Sequence, residues 1–242
     1  MGKHIYEIIR CEQGALLFYE EHLARLEKSM HSSGIAQTID KMQIIQKYRQ
    51  SAYYQENIVV NIRIDVYEDR VELSFSEPIK VEKAMYEEGI SVRCVEQVRD
   101  NPNVKSDAQS FYRQLKQDNE DIFEFLLVDN QGIVKEGARS NFFAVKDGVI
   151  YTQGSANVLM GITRSKVVDV IAEEDIALRY RNVYYKDLKH YEAFFITGTS
   201  IGVMPISSID DVGYPSASNE TVLKLRKGYD GKVAQEILKQ RG

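Results

Sequence analysis

Cysteine is scarce in this chain, two in 242 residues, and tryptophan is absent. Cys11 and Cys94 supply neither a disulfide framework nor a thiolate metal cluster, so a reducing compartment, the cytoplasm, is the expected setting. The four histidines, at 4, 22, 31 and 190, lack zinc-type spacing, and no metal site is expected. Apolar runs are short, FEFLLV and EAFFIT being the strongest, so no bilayer-spanning helix is expected. The opening MGKHIYEIIRCEQG carries no apolar signal-peptide core. No Lys/Arg block stands out and the formal charge is -5, which removes nucleic acid as the default partner.

What is present is an ordinary globular composition, 43% hydrophobic and 28% charged, in a chain long enough for one large or two small cores. HIYEIIRCEQGALLFY reads as two strands joined by a glycine-containing turn. EEHLARLEKSMHSSG reads as a helix with Leu23, Leu26 and Met30 on one face and Gly34 as its stop. A second helix is expected over DKMQIIQKYRQSAYY, then a hairpin over NIVVNIRIDVYEDRVELSFSEP and a strand in EGISVRCVEQVR. The irregular RDNPNVKSD interrupts this pattern, which predicts an N-terminal domain over 1–99, a linker over 100–106 and a C-terminal domain over 107–242. Beyond it, SDAQSFYRQLKQ is helical, and hairpins flank Glu136, one of them turning at Asp147-Gly148. MGITRSKVVDVIAEED is a helix with Thr163 as candidate N-cap, and EAFFITGTSIGVMPISSID is strand, turn and strand. A last helix over NETVLKLRKGYDGKVAQEILKQ is expected to break near Gly228. The class is mixed α and β in two parts.

Glu136, in EGARSNFFAV, falls at the exit of a strand expected to be buried, where a carboxylate needs a cation or a donor beside it. GTSIG, 198–202, matches the G-x-S-x-G nucleophile elbow, but Met204-Pro205 follows where a helix should begin and no histidine occurs after Ser200. The hydrolase order of serine, acid and histidine therefore fails. The same turn, with Thr199 and Ser200, and the helix opening at Gly161, Ile162 and Thr163 could instead present N–H groups and hydroxyls to a phosphate.

These blocks, in order, resemble the class IV (fold-type IV) aminotransferases, a family that includes D-amino acid and branched-chain aminotransferases and aminodeoxychorismate lyases. YEIIRCEQG, HLARLEKS, NVKS, EGARSNFF, VLMGITRS and EAFFITGTSIGVMPI carry the resemblance over almost the whole chain. It implies a two-domain D-amino acid aminotransferase-like fold: a small N-terminal α/β domain and a larger C-terminal β-rich pseudo-barrel. It also implies pyridoxal 5′-phosphate (PLP) on Lys105 as Schiff-base lysine, with Glu136 on the pyridine nitrogen. Arg25, Ile162, Thr163, Thr199 and Ser200 would hold the phosphate, with Gly161 opening the helix. Leu159 would pack on the ring and Tyr6 would contact the substrate carboxylate. The implied activity is amino-group transfer between an amino acid and a 2-oxo acid in a homodimer. Aminodeoxychorismate lyase, or a non-catalytic relative serving as a binding or dimerisation module, is the alternative. The substrate half departs from the family pattern: Gly2-Lys3-His4 replaces Gly-Asp-Gly, and Ala108 and Ser110 stand where an asparagine and a tyrosine are common.

Overall fold

A computed structural model describes residues 3–97, 109–117 and 119–241 and divides into two compact units. The first holds the described residues up to Lys80 together with those from Gly231 onward; the second holds the others. The first unit contains β1 (His4–Glu12), β2 (Ala15–Leu16), α1 (Tyr19–Ser33), α2 (Lys41–Arg49), α3 (Ala52–Gln55), β3 (Val60–Tyr67) and β4 (Val71–Ser76). Its sheet runs β2-β1-β3-β4, all antiparallel. Strict alternation along β1 sends Ile5, Glu7, Ile9 and Cys11 inward, where Leu23, Leu26 and Met30 of α1 join the core. Gly34 ends α1 in the left-handed conformation, as expected of a C-terminal glycine. The single helix expected over 40–54 is two: Ser51 caps the second through its hydroxyl, splitting the run.

The second unit contains α4 (Lys83–Glu88), β5 (Ile90–Glu96), α5 (Gln109–Gln117), β6 (Glu124–Val128), β7 (Ile133–Gly137), β8 (Asn141–Lys146) and β9 (Val149–Thr152). There follow α6 (Ile162–Glu173), β10 (Leu178–Tyr180), β11 (Val183–Tyr184), β12 (Ala193–Gly198), β13 (Gly202–Ile209), β14 (Val212–Gly213) and α7 (Glu220–Arg241), which extends into the first unit's residues. A ten-stranded sheet runs β10-β9-β8-β12-β13-β5-β6-β7-β11, with β14 on β13. Two expectations change here. The unit division falls after Lys80, not at 99, because β5 pairs in parallel with both β6 and β13 and is an interior strand of the larger sheet. The expected linker, 100–106, lies outside the described residues. The last helix is unbroken: Gly228 faces α6, where an added Cβ would overlap Val170, so this glycine serves close packing.

Candidate active site

Strands β7 and β8 and the start of α6 bring a polar cluster together around Glu136. The residue lies on β7 opposite Leu127 of β6, and only 2% of it is exposed. Its Oε2 accepts the Leu159 N–H at 3.1 Å and lies 3.5 Å from Asn141 Nδ2, which also donates to the Leu159 carbonyl at 2.7 Å. A carboxylate so buried is tolerable because donors meet it. Next to it, Gly137 is obligatory in a different sense: a Cβ there would overlap Ser140 Oγ. The turn closes with the Gly137 N–H donating to the Ser140 carbonyl at 2.8 Å.

Beyond Leu159, which is half-buried, Gly161 is the N-cap of α6, and no side chain caps this helix. A Cβ at Gly161 would overlap Asn141 Oδ1, so glycine lets the helix start approach β8. Thr163, expected as the N-cap, stands inside the helix and is 3% exposed; Ile162 beside it is also buried. The correction leaves an uncapped helix N-terminus, whose N–H groups and dipole favour an anion. Thr199 and Ser200 form the half-buried turn between β12 and β13. Since β13 continues from Gly202, no elbow helix follows Ser200. Just before that turn, Thr197 Oγ1 is buried with no hydrogen-bond partner among the described residues.

A cavity of about 610 Å³ adjoins Glu136, with Leu127, Gln97, Asp129, Lys135 and Asn157 in its walls. Lys135 and Asp129 pair at 2.9 Å. Burial works against the Asp129 carboxylate, but Lys135 and the Ile133 and Gln131 N–H groups outweigh it and lower its pKa. Gly161 also leads to Arg164, which is 1% exposed although it is a full cation. Arg164 donates from Nη2 to the Gln153 carbonyl at 2.7 Å, and Nη1 lies 3.4 Å from Met160 Sδ. Its Nε has no partner among the described residues. Burial lowers its pKa, opposed by the negative field of Tyr180 and Glu136. The orphaned Thr197 hydroxyl, the uncapped helix and the buried acceptor on the cavity wall fit a phosphorylated, ring-bearing cofactor such as PLP.

In the first unit, Arg25 donates to Glu7 from Nε at 2.8 Å and from Nη2 at 2.6 Å, while His22 Nδ1 lies 3.1 Å from the same carboxylate. Tyr6 is half-buried on the opposite face of β1, with the Arg63 guanidinium 4.1 Å from its ring centroid. Arg63 is itself held in a two-armed pair with Asp65. Lys105 lies outside the described residues.

Sequence reasoning missed Glu7, Arg164, Asn141 and Glu124. Two had a signal: Glu7 shares the inward phase of Ile5 and Ile9, and Arg164 shares the helical stripe of Val167 and Ile171. No metal-holding group of His, Cys, Asp or Glu occurs among the described residues, and none of their helices is long and apolar enough to cross a membrane.

The chain as a whole is similar to known proteins. The family model described as Amino-transferase class IV matches residues 4–209. D-alanine aminotransferase of Bacillus licheniformis is 26% identical over 226 residues, covering 86% of this chain and 80% of its own. Among solved structures, the branched-chain amino acid aminotransferase of Escherichia coli superposes with a TM-score of 0.83 at 19% identity, over 97% of this chain and 87% of its own. The branched-chain amino acid aminotransferase of T.th., solved with pyridoxamine 5′-phosphate, gives 0.82 at 21% identity, over 97% of this chain and 86% of its own.

Proposed function

The chain belongs to the class IV aminotransferase family and is an enzyme of that type, and on that premise we propose that it carries PLP on Lys105 and moves an amino group between an amino acid and a 2-oxo acid. Bound PLP supplies the electron sink for a carbanion at the substrate Cα. Lys105 Nζ moves the Cα proton, acting as general base and then acid. Glu136 holds a proton on the pyridine nitrogen, and Leu159 covers one ring face. Ile162 and Thr163, with Thr199 and Ser200, present N–H groups and hydroxyls to the phosphate, and Arg25 supplies the matching cation. Gly161 keeps the helix start open to that phosphate. Tyr6 contacts the substrate carboxylate, and two copies of the chain form the working dimer.

The observation that carries this reading is Glu136 itself: a carboxylate 2% exposed, fixed by the Leu159 N–H, on the wall of a cavity large enough for a cofactor. Borohydride reduction of the PLP-loaded protein followed by peptide mapping tests it. The stable adduct should map to Lys105; an adduct elsewhere, or none at saturating PLP, would refute the assignment.

A further inference from the structure

The arginine of the EGARS turn lies in an unusual setting for a residue at a turn tip. The guanidinium carbon of Arg139 sits 3.5 Å from the ring centroid of Tyr112 on α5. Its Nη2 donates to the Phe123 carbonyl at 3.1 Å, and the Tyr112 hydroxyl donates to the same oxygen at 3.0 Å. One carbonyl at the entrance to β6 thus receives both the helix and the turn. Under Arg139 lies Glu124, 1% exposed, whose Oε2 is 3.9 Å from Arg139 Nε. That carboxyl accepts the Phe125 N–H at 3.0 Å, the Arg139 N–H at 3.2 Å and the Ser140 hydroxyl at 3.0 Å. Burial raises the Glu124 pKa, and Arg139 opposes the shift. Only 29% of the Arg139 side chain is exposed. A surface arginine would gain little from any of these contacts, whereas a buried carboxylate without its cation is costly.

We infer that Arg139 is a positioning residue: clasped between Tyr112 and Glu124, it locks the helix that follows Lys105 in the chain to the turn that directly follows Glu136. The inference rests on the proposed roles of Lys105 and Glu136. The transmission to Glu136 is short. Gly137 has no room for a Cβ against Ser140 Oγ, so Ser140 packs directly on the residue after Glu136. A shift of Arg139 moves Ser140 and Asn141, and Asn141 reaches the Glu136 carboxylate and Leu159. In the proposed function one rigid ring must meet both Lys105 and Glu136. Small errors in such an arrangement are expensive in rate. The aromatic packing of Tyr112 on Phe125, at 5.7 Å between centroids, anchors the helix end of the clasp in the apolar core.

The test uses the PLP-loaded full chain as wild type, Arg139→Met, Arg139→Lys and Tyr112→Phe. Three quantities are read: the pH midpoint of the visible cofactor band, the single-turnover rate with an accepted amino acid, and the melting temperature. Arg139→Met should move the pH midpoint and slow the single turnover about tenfold to a hundredfold at saturating PLP. Arg139→Lys, which keeps the cation but not the fork, should recover part of both, and Tyr112→Phe should give a smaller change of the same kind. If Arg139→Met and Tyr112→Phe lower only the melting temperature, with pH midpoint and rate as in wild type, the residue is merely structural and the inference is wrong. If Arg139→Met does not fold, Tyr112→Phe, which keeps the ring and loses one hydrogen bond, decides by the same two readouts. Wild type is read first: failure to trap PLP on Lys105 there removes the cofactor reading and this inference together, whereas wild-type-like variants remove the inference alone.

Discussion

Replacing Glu136 with glutamine isolates charge from shape. Glutamine fills the same volume, and its carbonyl oxygen can still accept the Leu159 N–H that now reaches Oε2 at 3.1 Å. What disappears is the negative charge in a place only 2% exposed, where screening by water is weak. A neutral amide cannot stabilise a protonated pyridine nitrogen, so the ring loses its ability to accept the carbanion's electrons. Deleting one preorganised electrostatic partner of this sort costs about 3 kcal/mol in the barrier, roughly a hundredfold in rate. PLP affinity should change much less, because the variant keeps every contact proposed for Lys105, Arg25, Thr163 and the Thr199-Ser200 turn. Stopped-flow absorbance of the Glu136→Gln variant, loaded with PLP and mixed with an accepted amino acid, separates the two quantities. Near-normal loading with slow conversion is the expected result. Wild-type conversion rates would refute the reasoning and leave Glu136 as a structural acceptor for Leu159.

Gly137→Ala should lose about 2 kcal/mol of stability in urea denaturation, because its Cβ displaces the Ser140 hydroxyl from Glu124; an unchanged midpoint would contradict the turn geometry. Glu124→Gln tests a pH sign. The folded carboxyl holds its proton above the ordinary glutamate value, so wild type loses stability as pH rises through the unfolded pKa toward the folded one. The variant lacks that loss and should gain on wild type as pH rises above the ordinary glutamate value, and parallel stability curves would refute the shift. In coupled assays the protein should exchange amino groups with 2-oxo acids; pyruvate release from aminodeoxychorismate without such exchange would assign it to the lyases instead. Light scattering at micromolar concentration should give a dimer, and a monomer with full activity would remove the proposed assembly.

Local sequence determined a good deal of this protein. Alternation set the faces of β1, Gly34 ended α1, and Asp147-Gly148, both with positive φ, made the tight turn between β8 and β9. Each depends on residues close together in the chain, so a short window contains the cause. The order of the class IV blocks likewise announced the family, which the match over residues 4–209 shows. Tertiary structure decided what distant pairing controls. β5 joined the larger sheet because β6 and β13 offered parallel edges to it, and no property of EGISVRCVEQVR selects those partners. Gly228 reads as a helix break in sequence, but Val170 occupies the place where its side chain would stand. Arg25, which the resemblance puts at the phosphate, is oriented by Glu7, hidden in the inward phase of β1, which accepts two of its hydrogen bonds. Glu136, Asn141, Leu159 and Gly161 meet because β7, β8 and the start of α6 converge, and the Arg139 clasp draws on α5 and β6 as well. Hydrogen bonds between such remote groups depend on fractions of an ångström in packing, which periodicity and residue type do not encode locally.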